Sequence, residues 1–491
     1  MGKKKKRIRQ TSPVVDAMDW AEEHLSTPQF NALQKSLQLD IPVSIRINCL
    51  KSKPAIFIEK LRARYGWDTQ IVPFCASGYR IRSPERNPSS TIEHRMGYFY
   101  IQEAASMLPA ELFDFSGMTN PKILDMAASP GGKTIHLIDK MEDQGLVIAN
   151  DASRSRIPAL RIVLENWGAI NQAVTCQQGE WFGYAMPETF DAVLVDAPCS
   201  MQGLQSSSSH ASRPITENEI DTLAERQTNL LISALQCVKT GGQVVYSTCT
   251  LSPQENEGVL SKVMERYRQH IEIIDIQQQL PSPAPGIDHI EGTELDPDIK
   301  RAARFWPHIF NTAGFFCAKL IKIQPMEKST TLFESNRASE IDCLLEEEVK
   351  VITRQFQDQY GFNLFEKMQA LEIGIADIDG KYYLVPKRLN RLETALAPLS
   401  LGIPVGKALP SGWQPSHALV SRFGNQFTRG IFTLKNIYLE KWTRGEDIRG
   451  ISDPSFASGT VVVVRDENGG NLGRGKILKD RLKNQLPTRL F

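Results

Sequence analysis

The chain carries almost no net charge: 57 Lys and Arg stand against 56 Asp and Glu, leaving +1. That balance excludes a uniformly basic protein, so nucleic-acid contacts would have to come from local basic surfaces. The sequence also has no Cys-x-x-Cys pair. Its eight cysteines (49, 75, 176, 199, 237, 249, 317 and 343) are scattered. This argues against a zinc ribbon or a disulfide framework and for reduced thiols in a cytoplasmic protein, with no metal expected. No apolar run approaches the roughly 20 residues that cross a bilayer, so no membrane partner is expected. The opening "MGKKKKRIRQ" has no apolar segment behind its charges and no Ser or Thr at its sixth position. It therefore reads neither as a signal peptide nor as a lipidation site. Internal repeats are missing, and the one low-complexity patch is Ser206 to Ser209.

What is present describes an ordinary globular protein, 41% apolar and 23% charged. At 491 residues it is too long for one core and should divide into roughly three or four domains. Residues 1–12 read as a basic flexible arm. Residues 13–99 read as a small α/β module: "PVSIRINCLK" as a strand, "KPAIFIEKLRARYG" as an amphipathic helix and "GYRIRS" as a second strand. The stretch "YFYIQEAASMLPAELF", which starts at Tyr98 and leads into residues 100–325, is read as helical. Those residues continue as an alternation of apolar strands, "KILDM", "LVIAN", "AVTC", "DAVLVD" and "QVVYST", with helices between them. Such alternation predicts an α/β domain, a doubly wound parallel sheet covered on both faces. Residues 326–390 hold one helix, "SEIDCLLEEEVKVITRQFQDQYG", and a strand, "KYYLVP". Residues 391–491 read as β-rich, with a helix near "NIYLEKWTRGED" and a hairpin turning at "ENGGN". The terminal "GRGKILKDRLKNQLPTRLF", with six Lys/Arg against one Asp, is either an RNA-contacting surface or a solvated helix.

In "ILDMAASPGGKT" a strand ends at Asp125 and a loop of small residues, Ala127, Ala128, Ser129, Pro130, Gly131, Gly132 and Lys133, opens into a helix. Small residues let a ligand approach the carboxyl ends of the strands. A phosphate loop is excluded, since Ala127 stands where that motif needs glycine. Asp151 ends the next strand and either caps the helix of "DASRSR" or accepts hydrogen bonds from a ribose diol. An adenosine-bearing cofactor follows, nicotinamide or S-adenosylmethionine. Asp196, Cys199 and Cys249 fall just past the ends of adjacent predicted strands, "DAVLVDAPCS" and "VVYSTCTLSPQENE". A doubly wound sheet brings such ends to one crevice. Cysteines at strand ends are usually small buried hydrophobes. Two of them beside an acid suit another task, methylation of a cytosine at C5. That carbon is a poor nucleophile until a thiolate adds to C6, and a thiolate can leave again afterwards.

At these residues the sequence resembles the RNA cytosine-5 methyltransferases of the Nol1/Nop2/Sun family. "LDMAASPGGKT", "VDAPCS" and "YSTCTLSPQENE" match its cofactor, Pro-Cys and Thr-Cys motifs in order, and "GYFYIQEAASMLP" and "GFFCAKL" match flanking blocks. The resemblance spans roughly residues 40–323. It implies a Rossmann-like methyltransferase sheet in which Cys249 attacks C6, Cys199 assists release, and Asp196 holds the cytosine. It also implies S-adenosylmethionine bound by Ala127 to Lys133, Asp151 and Asp196, with Gln178 near the adenine where the family has an acid. "EKWTRGEDI" and the basic C-terminal stretch resemble the bacterial branch that modifies small-subunit ribosomal RNA. That branch implies a PUA-like RNA-binding domain at the C-terminus and 16S rRNA or the small subunit as partner, with the enzyme a monomer. One departure follows Cys199: Met201 replaces a family glycine, and "SSSSHASRP" replaces a more structured stretch. Three other readings stay open: Cys199 as the attacking thiol, an RNA-binding assembly factor with a degenerate site, and a nicotinamide oxidoreductase. The last lacks a full GxGxxG turn.

Overall fold

A computed structural model describes residues 19–82, 84–204, 215–327, 343–387, 396–409, 412–451 and 453–487. The basic arm, the serine patch and the last four residues lie outside the described residues.

The centre is a sheet built from β1 (Lys122–Asp125), β2 (Leu146–Asn150), β3 (Gln172–Thr175), β4 (Phe190–Asp196), β5 (Val238–Thr248), β6 (Ile271–Ile274) and β7 (Phe315–Lys322). Their order is β6-β7-β5-β4-β1-β2-β3. β1 to β5 run parallel, and β7 lies antiparallel between β5 and β6. The continuous apolar runs of β2 and β4 follow from burial on both faces, as a parallel sheet requires. Helices α1 (Gly132–Lys140), α2 (Ile157–Trp167), α3 (Glu180–Ala185), α4 (Glu217–Cys237) and α5 (Glu257–Tyr267) connect these strands. The strand order reverses between β1 and β4, which opens a crevice at their carboxyl ends. The expected Rossmann-like sheet is present.

The N-terminal module is a four-stranded antiparallel sheet ordered Asp68–Val72, Cys75–Arg82, Ser44–Ile47, Phe99–Ile101, with helix Pro54–Tyr65 packed on it. Here "YFYIQEAASMLPAELF" departs from the helical reading. Its aromatic start is the edge strand Phe99–Ile101, paired with Ser44–Ile47. Only Leu108–Glu111 is α-helical, with Pro109 in its first turn, where no N–H is needed. The C-terminal region is β-rich. Strands Ile373–Ile378, Lys381–Pro386, Ile403–Leu409 and Gly412–Pro415 form one sheet, so strands on both sides of residue 390 pair with each other. A second, five-stranded sheet contains the hairpin Val461–Asp466/Asn471–Leu478, turning at the expected "ENGGN".

Among the described residues, the basic stretch from Gly473 contains no helix. It supplies strands Asn471–Leu478 and Arg481–Asn484, and the alternating burial along the first of them is the two-residue period of a strand. "NIYLEKWTRGED" yields only the short helix Leu439–Thr443 after a 3-10 turn. The long helix of the connecting region begins at Glu346 rather than before Cys343. Phe432, Leu434 and Trp442 share a core with Ile45, Phe57 and Leu61, so the first and last modules pack on each other. Ser400–Leu401 adds to the free edge of β3 and ties the C-terminal region to the central sheet.

Candidate active site

β4 and β5 are hydrogen-bonded neighbours, so the loops that leave them emerge side by side. Their cysteines meet: Cys199 Sγ lies 3.3 Å from Cys249 Sγ. Both thiols are reduced and half-buried. The hydrogen bond shared with Cys249, burial, and the charges of Cys249 and Glu255 push the Cys199 thiol well above its ordinary range. Asp196, the last residue of β4, accepts a hydrogen bond from Ser247 Oγ at 2.8 Å and from Lys133 Nζ at 2.7 Å. Burial works against the Lys133 charge, but Asp196, with a smaller contribution from Cys249, holds its pKa above the usual value. The Lys133 side chain therefore reaches from the start of α1 to Asp196, at the end of β4.

The loop after Cys249 is braced by residues that the sequence reading quoted without a role. Glu255 is fully buried and accepts from Ser200 N (2.9 Å), from Ser200 Oγ and from Gln227 Nε2 (2.9 Å). Asn256 accepts from Thr248 Oγ1 at 2.6 Å and donates to the Thr250 carbonyl at 3.0 Å. Glu257 forms a two-pronged ion pair with Arg304, both side chains being fully buried. Arg304 also donates to the Leu251 carbonyl at 2.6 Å and lies over the rings of Trp20, Trp306 and Phe316. The signal for these groups was the repeated acid and amide in "QENE", too short to name partners so distant in sequence.

On the other side of the crevice, the loop Ala127 to Lys133 follows β1. Its two glycines are explained by packing. A Cβ at Gly131 would stand 3.1 Å from Leu160 and Val163, and one at Gly132 would stand 2.8 Å from Tyr100. The polar groups nearby do fit a ligand bearing ribose hydroxyls. Asp151 accepts from Ser153 N at 2.9 Å and from Ser129 N at 3.3 Å, and it pairs with Arg156 at 3.4 Å. It begins a turn rather than capping α2, which starts only at Ile157. A carboxylate has about four acceptor sites, so beside its three partners capacity is left for a further hydroxyl. Asp125 accepts from Thr134 at 2.6 Å while its Oδ1 is buried without a partner. Burial raises the Asp125 carboxyl to about 7.

Asn150, at the end of β2, joins three loops. It donates to the carbonyls of Met126 and Gln177 and accepts from Thr175 Oγ1 and Gln177 N. Gln178 follows β3 with its side chain exposed. Away from the crevice, Cys75, Glu111 and His136 offer ligand atoms close together. Glu111 already pairs there with both His136 and Lys140. No described helix is long and apolar enough to cross a membrane.

Known proteins match most of the chain. Residues 116–321 match the model of the 16S rRNA methyltransferase RsmB/F family, and residues 18–104 match the N-terminal domain of 16S rRNA methyltransferase RsmF. Ribosomal RNA small subunit methyltransferase F of Aeromonas salmonicida is 31% identical, over 95% of this chain and 94% of that protein. The protein of that name from Shewanella halifaxensis is 32% identical over the same shares. Among solved structures, a methyltransferase homolog from Pyrococcus horikoshii superposes with a TM-score of 0.54 at 30% identity, covering 60% of this chain and 90% of that one. NSun6 from the same organism, solved with SFG, shares the fold with a TM-score of 0.51 at 22% identity, covering 63% and 98%. The chain belongs to the ribosomal RNA small subunit methyltransferase F family, whose members are rRNA methyltransferases.

Proposed function

We propose that this chain methylates C5 of a cytosine in 16S ribosomal RNA, using Cys249 as a covalent nucleophile. The observation that carries the reading is the pair of thiols 3.3 Å apart, beside the Lys133–Asp196 ion pair, at the ends of adjacent strands. The cofactor, S-adenosylmethionine, would be held by Asp151 and the loop Ala127 to Lys133, and it supplies the methyl group as an electrophile. All other steps belong to the protein and the base. The Cys249 thiolate forms a bond to C6, which turns C5 into an enamine carbon able to take the methyl group. A base then removes the C5 proton, and the electron pair of that bond expels the thiolate, with Cys199 assisting release. Asp196 keeps spare acceptor capacity beside its bonds to Lys133 and Ser247, enough to receive the exocyclic amine of cytosine. A flipped or single-stranded nucleotide is required, since C6 is out of reach inside a stacked helix. The N-terminal module and the β-rich, PUA-like C-terminal region would hold the RNA through phosphate contacts and shape.

RNA containing 5-fluorocytosine tests the assignment, because fluorine at C5 blocks the final elimination and traps the adduct. The protein and its Cys199→Ala variant should accumulate a covalent complex, and Cys249→Ala should not. The reverse pattern would make Cys199 the attacking thiol. If no variant forms an adduct and bisulfite mapping finds no new 5-methylcytosine in 16S rRNA despite tight binding, the assembly-factor reading takes its place.

A further inference from the structure

Two chemically identical thiols at 3.3 Å pose a problem that the strands alone do not solve: something must decide which attacks and which keeps its proton. The asymmetry lies in one buried side chain. Glu255 sits on the Cys249 loop, but its carboxylate reaches across to the Cys199 loop. There it receives both the N–H and the hydroxyl of Ser200, the residue next to Cys199. Gln227 of α4 clamps the same carboxylate and also donates to the Pro198 carbonyl at 2.9 Å, gripping the Cys199 loop from either side. Ser200 Oγ lies 2.8 Å from Thr250 Oγ1, which closes the link between the loops.

We propose that Glu255 is a positioning residue that fixes the Cys199 loop against the Cys249 loop and keeps Cys199 in its proton-bearing form. Burial raises the Glu255 carboxyl above its usual range, and the donors it receives, Ser200, Gln227 and Thr250, work against that; being uncharged, they favour the carboxylate without cancelling its charge. The titratable groups facing Cys199 are Cys249, Glu255 and Tyr246, whose hydroxyl donates to the Glu255 carbonyl at 2.6 Å. A second negative charge on Cys199 would be repelled by Glu255, whereas Lys133 is on the side of Cys249. The attacking role then falls to Cys249 and the proton-holding role to Cys199. The catalytic consequence rests on the cytosine-5 reading; the protonation of Cys199 does not.

The test is alkylation by iodoacetamide across a pH series, resolved by peptide mass, without RNA. In Glu255→Gln the midpoint for Cys199 should fall by about one pH unit or more. In the methylation assay kcat should fall about tenfold with KM for RNA nearly unchanged. Glu255→Asp, which keeps the charge, should restore most of the midpoint. A folded Glu255→Gln protein with an unmoved midpoint overturns the proposal, as does a Glu255→Asp variant that behaves like it. Should the Gln variant not fold, Ser200→Ala reads the same link: kcat drops severalfold, and an unchanged kcat overturns the assignment. If the midpoint moves while Cys249→Ala still traps 5-fluorocytosine RNA, the nucleophile assignment fails and the role of Glu255 stands.

Discussion

The two cysteine loops leave neighbouring strands and meet at the sulfur atoms, yet they are held very differently. The loop after β5 is pinned by side chains at three points: Thr250 by Asn256, Leu251 by Arg304, and the entry to α5 by the Glu257 ion pair. The loop after β4 is held through Pro198 and Ser200 and again, by backbone bonds, at Gly203, which donates to the Cys249 carbonyl at 3.1 Å and accepts from Gly314 N at 3.0 Å. By Met201 it has reached a left-handed backbone, φ 58°, with a side chain 46% exposed. A group that must meet an electrophilic carbon at a fixed angle benefits from rigidity. One that only delivers or receives a proton tolerates more freedom. The difference in bracing parallels the roles assigned above.

The comparison breaks most completely at Arg304. Replacing it by Met removes the charge that neutralises Glu257 and strands that carboxylate with both side chains fully buried. Breaking such a pair from one side costs about 3–5 kcal/mol. Arg304→Met should show a large drop in the urea midpoint and lose adduct formation with 5-fluorocytosine RNA. The double variant Arg304→Met, Glu257→Met should recover much of the stability, since no charge is left unpaired, but not the activity. Recovery of both would show that the brace serves folding alone.

The loop after β1 stands between the two extremes: well packed, but with one buried oxygen of Asp125 unpartnered. Burial lifts its carboxyl to about 7, against some relief from Thr134. The unfolded chain loses this proton near pH 4. Between about pH 4 and 7 the folded state therefore holds a proton that the unfolded state has released. This contribution to stability is complete below pH 4 and disappears as pH rises through 7. Asp125→Asn removes the dependence. The variant's advantage over the parent in unfolding free energy from urea titrations should grow from pH 5 to pH 8, by an amount on the order of a few kcal/mol. Parallel curves for the two proteins would refute the assignment.

Much of the scaffold was legible because its strands are buried on both faces and so read as unbroken apolar runs; "LVIAN" coincides with β2. Cys199 and Cys249 could be placed together because each follows such a run. The bracing was not legible, since Glu255 meets Ser200 across 55 positions and Arg304 meets Glu257 across 47. No local pattern announces such a contact. Lys133 belongs to the cofactor motif in sequence, and its long side chain meets Asp196, 63 positions away, a contact that is equally invisible locally. "YFYIQEAASMLPAELF" misled because its aromatic start found a strand partner that helical periodicity does not reveal.

The smallest expected effect sharpens the comparison from its loose side. Met201 stands where the resemblance places glycine, and φ of 58° is costly for a residue with a Cβ but natural for glycine. The exposed methionine side chain contributes little burial in return. Met201→Gly should therefore relieve about 1 kcal/mol of backbone strain, offset by the roughly 0.5–1 kcal/mol that glycine loses in chain entropy. The expected change in thermal midpoint is within about two degrees, of either sign. Release of the trapped product is the sharper readout, because Met201 lies two residues from the thiol proposed to assist it. An altered rate of thiol elimination with an unchanged rate of adduct formation would place the consequence of the methionine on the Cys199 side alone. Equal changes in both rates would mean that the two loops move together, and that their different bracing does not separate attack from release.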